Sequence, residues 1–134
     1  MAMNLHLTLG VESLEHSMNF YRDIPGLAPE WLHDPQKTAR GVVIHTPTLS
    51  VVFIPLTAME QQHPALLQHL SRERLGAGVQ LEFSCPDLNT LSRIAKKRQW
   101  PILYELEDTE HQRRELWLQD PDGYLLIFNQ ESET

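Results

Sequence analysis

The chain has 134 residues, enough for one domain or a pair of small fused modules, and enough to bury a core without disulfides or metals as staples. Its 11 basic and 18 acidic residues leave a net charge of −7, the wrong sign for a nucleic-acid partner, which needs concentrated Lys and Arg. No apolar run reaches the roughly 18 residues that span a bilayer, the N-terminus lacks the basic-then-apolar order of a secretory signal, and the single cysteine, Cys85, excludes an internal disulfide, so a cytoplasmic protein with no membrane partner is expected.

In chain order, Leu5, Leu7, Leu9 and Val11 alternate with His6, Thr8 and Gly10, the period of a strand with one apolar face. Ser13 is placed to cap a helix that carries Leu14, Ser17, Met18 and Tyr21 on one side and stops at Pro25-Gly26. A short strand near Trp31, a strand from Gly41 to His45, a turn at Pro47 and a strand from Leu49 to Leu56 follow. Pro64 with Leu66, Leu67 and Leu70 predicts a short linking helix, broken at Gly76-Ala77-Gly78. The plan then repeats. Val79, Leu81 and Phe83 alternate with Gln80, Glu82 and Ser84; Asp87 caps a helix bearing Leu88, Leu91, Ile94 and Ala95; and Trp100-Pro101 ends it, because a residue before proline resists the helical basin. Strands are expected over Ile102–Glu105, His111–Gln119 and, after the turn Asp-Pro-Asp-Gly, Tyr124–Asn129.

The two halves run in near-constant register. His6 corresponds to Gln80 and Leu14 to Leu88, each 74 positions on, and Val52 corresponds to Ile127, 75 on. Each half is therefore β-α-β-β-β, with residues 1–56 as the first module, 57–78 as a linker and 79–134 as the second. The fold class is α+β. On the first strand the leucine face should meet the helix, leaving His6, Thr8 and Gly10 to line water or a cavity; Gln80, Glu82 and Ser84 hold the same place in the repeat.

The segment LHLTLGVESLEHSMNFYRDIPGL, with its Phe20-Tyr21 pair followed by Gly26-Leu27, and the hairpin ELWLQDPDGYLLIFNQ around Asp120–Gly123 resemble the vicinal oxygen chelate superfamily, the glyoxalase, bleomycin-resistance and extradiol-dioxygenase group. The resemblance covers nearly the whole chain. It implies two βαβββ modules forming a curved eight-stranded surface with a ligand cavity on its concave side, and a homodimer in many members. In metal-using members four strand positions supply His or carboxylate ligands. Carried over residue by residue, those positions are His6, Val52, Gln80 and Ile127. A divalent transition metal takes about three or four His, Cys or carboxylate donors. Two of these positions are hydrocarbon and one is a neutral amide, so no metal and no other cofactor is expected. A displaced set of His6, Glu82 and Glu115 is conceivable, without precedent in the resemblance.

The other histidines give little. His63 and His69 are six apart and do not share a helix side, while His16, His33, His45 and His111 fall on helix or loop edges, where solvated surface histidine is the plain reading. Lys96-Lys97-Arg98 and Arg113-Arg114 likewise read as solvated faces. Cys85 precedes Pro86 with no flanking base, so a reactive thiolate is not expected. No nucleophile elbow, Walker loop or dinucleotide fingerprint occurs. His6 and Glu82 are the weak catalytic candidates, His6 being more simply a polar wall residue.

Trp117 alternates with Leu116 and Leu118, so it should share the cavity side with Glu115 and Gln119; Trp31 can do the same from the first module. An indole beside Glu82 and Glu115 suits a cationic or aromatic guest. Arg40, matched to Glu115 by the repeat, would offset part of that charge. Val52, Leu125 and Ile127 would form an apolar floor, and Thr8 and Gln80 polar wall. The leading expectation is metal-free binding of a small molecule, as in drug-sequestering members of the group. The alternatives are a glyoxalase-like lyase or isomerase, or a dioxygenase, with a displaced metal or acid–base chemistry from His6 and Glu82, and a protein-interaction module with a vestigial pocket.

Overall fold

The computed structural model describes residues 2–131. The chain divides into two compact units, Met1–Leu75 and Gly76–Thr134. Unit one contains β1 (His6–Val11), α1 (Leu14–Asp23), β2 (Glu30–His33), β3 (Ala39–His45) and β4 (Ser50–Pro55), then α2 (Leu56–Gln62), α3 (Pro64–Leu67) and a single 3₁₀ turn at Leu70–Arg72. Unit two contains β5 (Gln80–Ser84), α4 (Leu88–Lys97), β6 (Tyr104–Asp108), β7 (Arg113–Gln119) and β8 (Leu125–Glu131). Each unit is α+β, with one four-stranded sheet: β1-β4-β3-β2 in the first and β5-β8-β7-β6 in the second. The outer pair of each, β1 with β4 and β5 with β8, is parallel, and the other pairings are antiparallel.

In unit one the helix side of the sheet is the apolar one. Leu9 pairs with Phe53, Phe53 with Val42, and the Phe53 ring lies 4.8 Å from that of Tyr21 on α1. Ser13 starts this helix as expected: its hydroxyl accepts a hydrogen bond from the His16 backbone N–H at 3.2 Å. Ser13→Ala should cost about 1 kcal/mol of stability, read as a lower urea midpoint with an unchanged slope; no shift would show that the cap is redundant. In unit two Leu88, Leu91 and Ala95 of α4 are buried, as are Leu116, Leu118, Leu126 and Phe128 on the facing strands. Asp87 caps α4 by accepting from the Thr90 N–H. Its carboxyl is held below the usual carboxylate range by the Thr90 hydroxyl first, then the Thr90 backbone N–H. Because the folded value is depressed, the cap's contribution is complete above the unfolded pKa of about 3.9 and fades as pH falls through the folded one.

Of the boundaries that differ from expectation, three bear on the packing. The strand expected to reach Leu56 stops at Pro55, and Leu56 opens α2 instead, so the linker holds two short helices and a 3₁₀ turn rather than one helix. Proline suits the entry to a helix, and the residues after it are ordinary helix formers. Helix α4 ends at Lys97, before Trp100-Pro101. A C-terminal hydrogen-bond pair stops it, with Trp100 N–H donating to Ala95 C=O at 2.8 Å and Gln99 N–H to Lys96 C=O at 3.1 Å, while Gln99 takes the left-handed conformation. The strand expected at Ile102–Glu105 runs over Tyr104–Asp108 instead.

Candidate functional site

Cross-strand partners in a sheet share a face, so the register assigns sides. In unit two Glu82 pairs with Ile127, Ile127 with Trp117 and Trp117 with Tyr104, and the next row is Ser84, Asn129, Glu115 and Leu106. These rows lie on the face away from α4. At one end of that face opens a cavity of about 620 Å³ lined by Glu82, Ser84, Cys85, Pro86, Arg113, Glu115 and Asn129. The strand alternation thus places Glu82 and Glu115 along one cavity.

Glu115 is the best-held group there. Its side chain is 17% exposed, and its Oε1 lies 3.8 Å from Arg113 Nε. Its Oε2 accepts a hydrogen bond from the Trp117 indole N–H at 3.1 Å. Trp117 therefore fixes Glu115 rather than lining the cavity. Its ring lies edge-on to Tyr104 at 5.2 Å, and its cross-strand neighbour Ile127 is buried. Asn129 Oδ1 is buried without a hydrogen-bond partner among the described residues, which leaves a polar demand at the cavity wall. Gln80 and Leu125 pair with each other at the far end of the same face, outside the cavity lining.

The remaining site candidates lie in unit one. His6 is exposed at the start of β1, in register with Ser50, and Thr8 pairs with Val52. His45 Nδ1 lies 3.1 Å from Ser50 Oγ, and its Nε2 lies 3.7 Å from Glu30. The His6-Thr8-Gly10 face is open at His6 and Thr8 but closed at Gly10, where a Cβ would meet Leu56 Cδ2 at 2.7 Å and Met59 Sδ at 3.2 Å. The linking helix α2 thus covers in unit one the position that Ser84 occupies at the cavity of unit two.

Two assignments need correction. Val43 pairs with Val52 and Trp117 with Ile127, so Val43 is the counterpart of Trp117 and Arg40 that of Arg114, not of Glu115. The repeat offset is 74 on these strands, and a one-residue slip turns a side chain to the other face. Arg40 instead binds Asp34 at 2.7 Å. Trp31 pairs with Val42, which places it on the α1 side of its sheet and not on the face away from the helix. Arg113, Asn129, Cys85 and Pro86 also line the cavity, beyond the residues expected from the sequence. Arg113 was legible, since it stands two residues before Glu115 on one strand.

The metal positions implied by the resemblance do not fit a metal. Val52 and Ile127 offer hydrocarbon, and Ile127 is packed beside Trp117 with 3% of its surface exposed. Among the described residues no three His, Cys, Asp or Glu side chains form a group that would hold an ion. Also among the described residues, no helix is long and apolar enough to cross a membrane.

Paired βαβββ units, each closing a parallel outer strand pair with an antiparallel hairpin, define the class of fold to which the chain belongs. The chain is a member of the Glyoxalase/Bleomycin resistance protein/Dioxygenase superfamily, whose family model matches residues 5–128. Solved structures share the fold. A lactoylglutathione lyase from Agrobacterium tumefaciens is 14% identical with a TM-score of 0.67, covering 97% of this chain and 94% of its own. A glyoxalase/bleomycin resistance protein from Catenulispora acidiphila is 15% identical, TM-score 0.63, covering 98% and 100%. A glyoxalase/bleomycin resistance protein/dioxygenase from Nocardioides is 14% identical, TM-score 0.70, covering 99% and 85%. No curated protein sequence matches the chain.

Proposed function

We propose that this chain binds a small organic molecule, without a metal, on the face of its second unit that carries Glu82 and Glu115, and that the guest presents a cationic, hydrogen-bond-donating group. The carrying observation is Glu115: a mostly buried carboxylate, oriented by the Trp117 indole, at the wall of a cavity of about 620 Å³. Burying a carboxylate is unfavourable unless it is paired, and its pairing to Arg113 is loose at 3.8 Å. A donor on the guest completes it. Glu82 adds a second negative charge, while Tyr104 and Trp117 extend the face with aromatic surface next to the cavity, over buried Ile127. Such a site captures and holds a molecule; no bond need break. A cytoplasmic homodimer belongs to this reading, and sedimentation measures the oligomeric part of it.

Glu115→Gln keeps the shape and removes the charge. It should weaken binding of an aromatic amidine such as benzamidine about tenfold or more, the worth of a charge-assisted hydrogen bond, measured by calorimetry. Chelator treatment should leave that affinity unchanged. A stoichiometric divalent metal in protein purified without chelator, whose removal abolishes binding, would overturn the metal-free reading and favour an enzyme.

A further inference from the structure

Arg113 has one acidic neighbour along its strand and another across the strand pair. On its own strand it reaches Glu115, two residues on and on the same face, with Nε 3.8 Å from Oε1. Across the strand pair it stands in register with Asp108. It also lines a second, smaller cavity of about 210 Å³ at the β6–β7 turn, which Asp108 lines as well. Asp108 is fixed in place: it accepts from the His111 backbone N–H at 3.1 Å, and His111 Nδ1 lies 2.8 Å from its Oδ2. Its carboxyl is held below the usual carboxylate range, first by that backbone N–H, then by the His111 ring, with a smaller contribution from the charge of Arg113. Arg113 itself is 53% exposed at the side chain, which leaves it room to move in solvent.

The long distance to Glu115 is informative. An arginine committed to a carboxylate closes to about 2.7–2.9 Å, often through both nitrogens. Arg22 with Asp23 at 2.8 Å and Arg40 with Asp34 at 2.7 Å do so in this chain. Arg113 stays about an ångström further from Glu115, with Asp108 in register across the strand pair. Among the described residues lining the larger cavity it is the one cation.

We propose that Arg113 is the specificity-determining residue of this site: an internal counter-ion that shields Glu115 when no guest is bound and swings to Asp108 when a guest cation takes its place. The inference rests on the reading of the site given above. The guest then has to outcompete a tethered guanidinium. Weakly basic or neutral molecules do not displace it, whereas an amidinium or guanidinium on a flat apolar body does, with its body against the Trp117 and Tyr104 side of the face. Asp108 lowers the cost of displacement by receiving the released cation.

The test is calorimetry with benzamidine as the probe on the full chain, using the wild type, Arg113→Gln, Asp108→Asn and the double variant, with Glu115→Gln as the site control. Removing Arg113 should tighten binding about two- to fivefold, the worth of a partly exposed ion pair. Asp108→Asn should weaken binding by about twofold in the wild-type background and have no effect once Arg113 is gone, because the pair acts as a unit. An Asp108 variant that merely loosens its turn would act equally in both backgrounds, and that result would overturn the proposal. Arg113→Gln binding no tighter than wild type, with Glu115→Gln still impaired, would sink the arginine's role and leave the cation site standing. If Arg113→Gln instead abolishes binding of benzoate, which the wild type binds in place of benzamidine, the arginine is an anion anchor and both readings fail.

Discussion

Phe53→Ala should cost the first unit about 3–5 kcal/mol. Phe53 sits on β4, between β1 and β3, and is fully buried. It pairs with Leu9 on one side and Val42 on the other and meets Tyr21 of α1 at 4.8 Å, so its loss opens a void that neither strand can fill. Against a total of about 5–15 kcal/mol for a domain, that is about a fifth of the stability or more. Urea denaturation followed by circular dichroism should show a much lower midpoint at unchanged slope. Phe83→Ala supplies the contrast. Phe83 stacks on Phe128 at 5.2 Å but lies on an outer strand and is only half-buried, so it should cost less. Equal losses in the two variants would contradict the assigned packing of α1 on its sheet.

Gly76→Ala should be the most damaging change in the segment between the repeats, at about 2–3 kcal/mol. Gly76 has φ +82°, which glycine adopts freely and alanine does not. A Cβ there would also meet the Gly123 carbonyl oxygen at 2.7 Å and Tyr124 Cα at 3.0 Å, backbone atoms that cannot rotate aside. The glycine thus lets the chain enter unit two directly against the Asp120–Gly123 turn. That turn is itself fixed by buried Asp120, whose Oδ1 accepts from the Asp122 and Tyr124 N–H groups at 2.9 Å each. Gly78 has a similar angle, φ +76°, but open space around it. Gly78→Ala should therefore report backbone strain alone, about 1 kcal/mol. Thermal melts of the two variants separate contact from strain; identical shifts would show that the contact at Gly123 yields without cost.

The repeat was legible because alternation and capping are local. Ser13 and Asp87 carry the side-chain oxygens that start their helices, and residues two apart on a strand must share a face. The same rule gathers Glu82, Glu115 and Trp117 on one side of unit two. It also puts Arg113, two residues before Glu115, on that side, although the Arg113-Arg114 pair reads along the chain as a solvated face. Local signals failed wherever a pairing register decided the answer. Arg40 was matched to Glu115 by an offset that was one residue too long on those strands, and it lies instead beside Asp34. The helix covering Gly10 was not foreseen, because Leu56 reads equally well as the end of a strand and the start of a helix.

By itself the sequence determined the doubled βαβββ plan, the family, and the presence of hydrocarbon at Val52 and Ile127, since each depends only on residue type and spacing along the chain. Tertiary structure alone decided what those side chains meet. Trp117 became the clasp of Glu115, Arg113 came to lie near Glu115 and in strand register with Asp108, and the twin of the Ser84 position in unit one was filled by Leu56 and Met59. These outcomes depend on hydrogen-bond register between strands far apart in sequence, and on which segment packs over which face, and no local pattern encodes either.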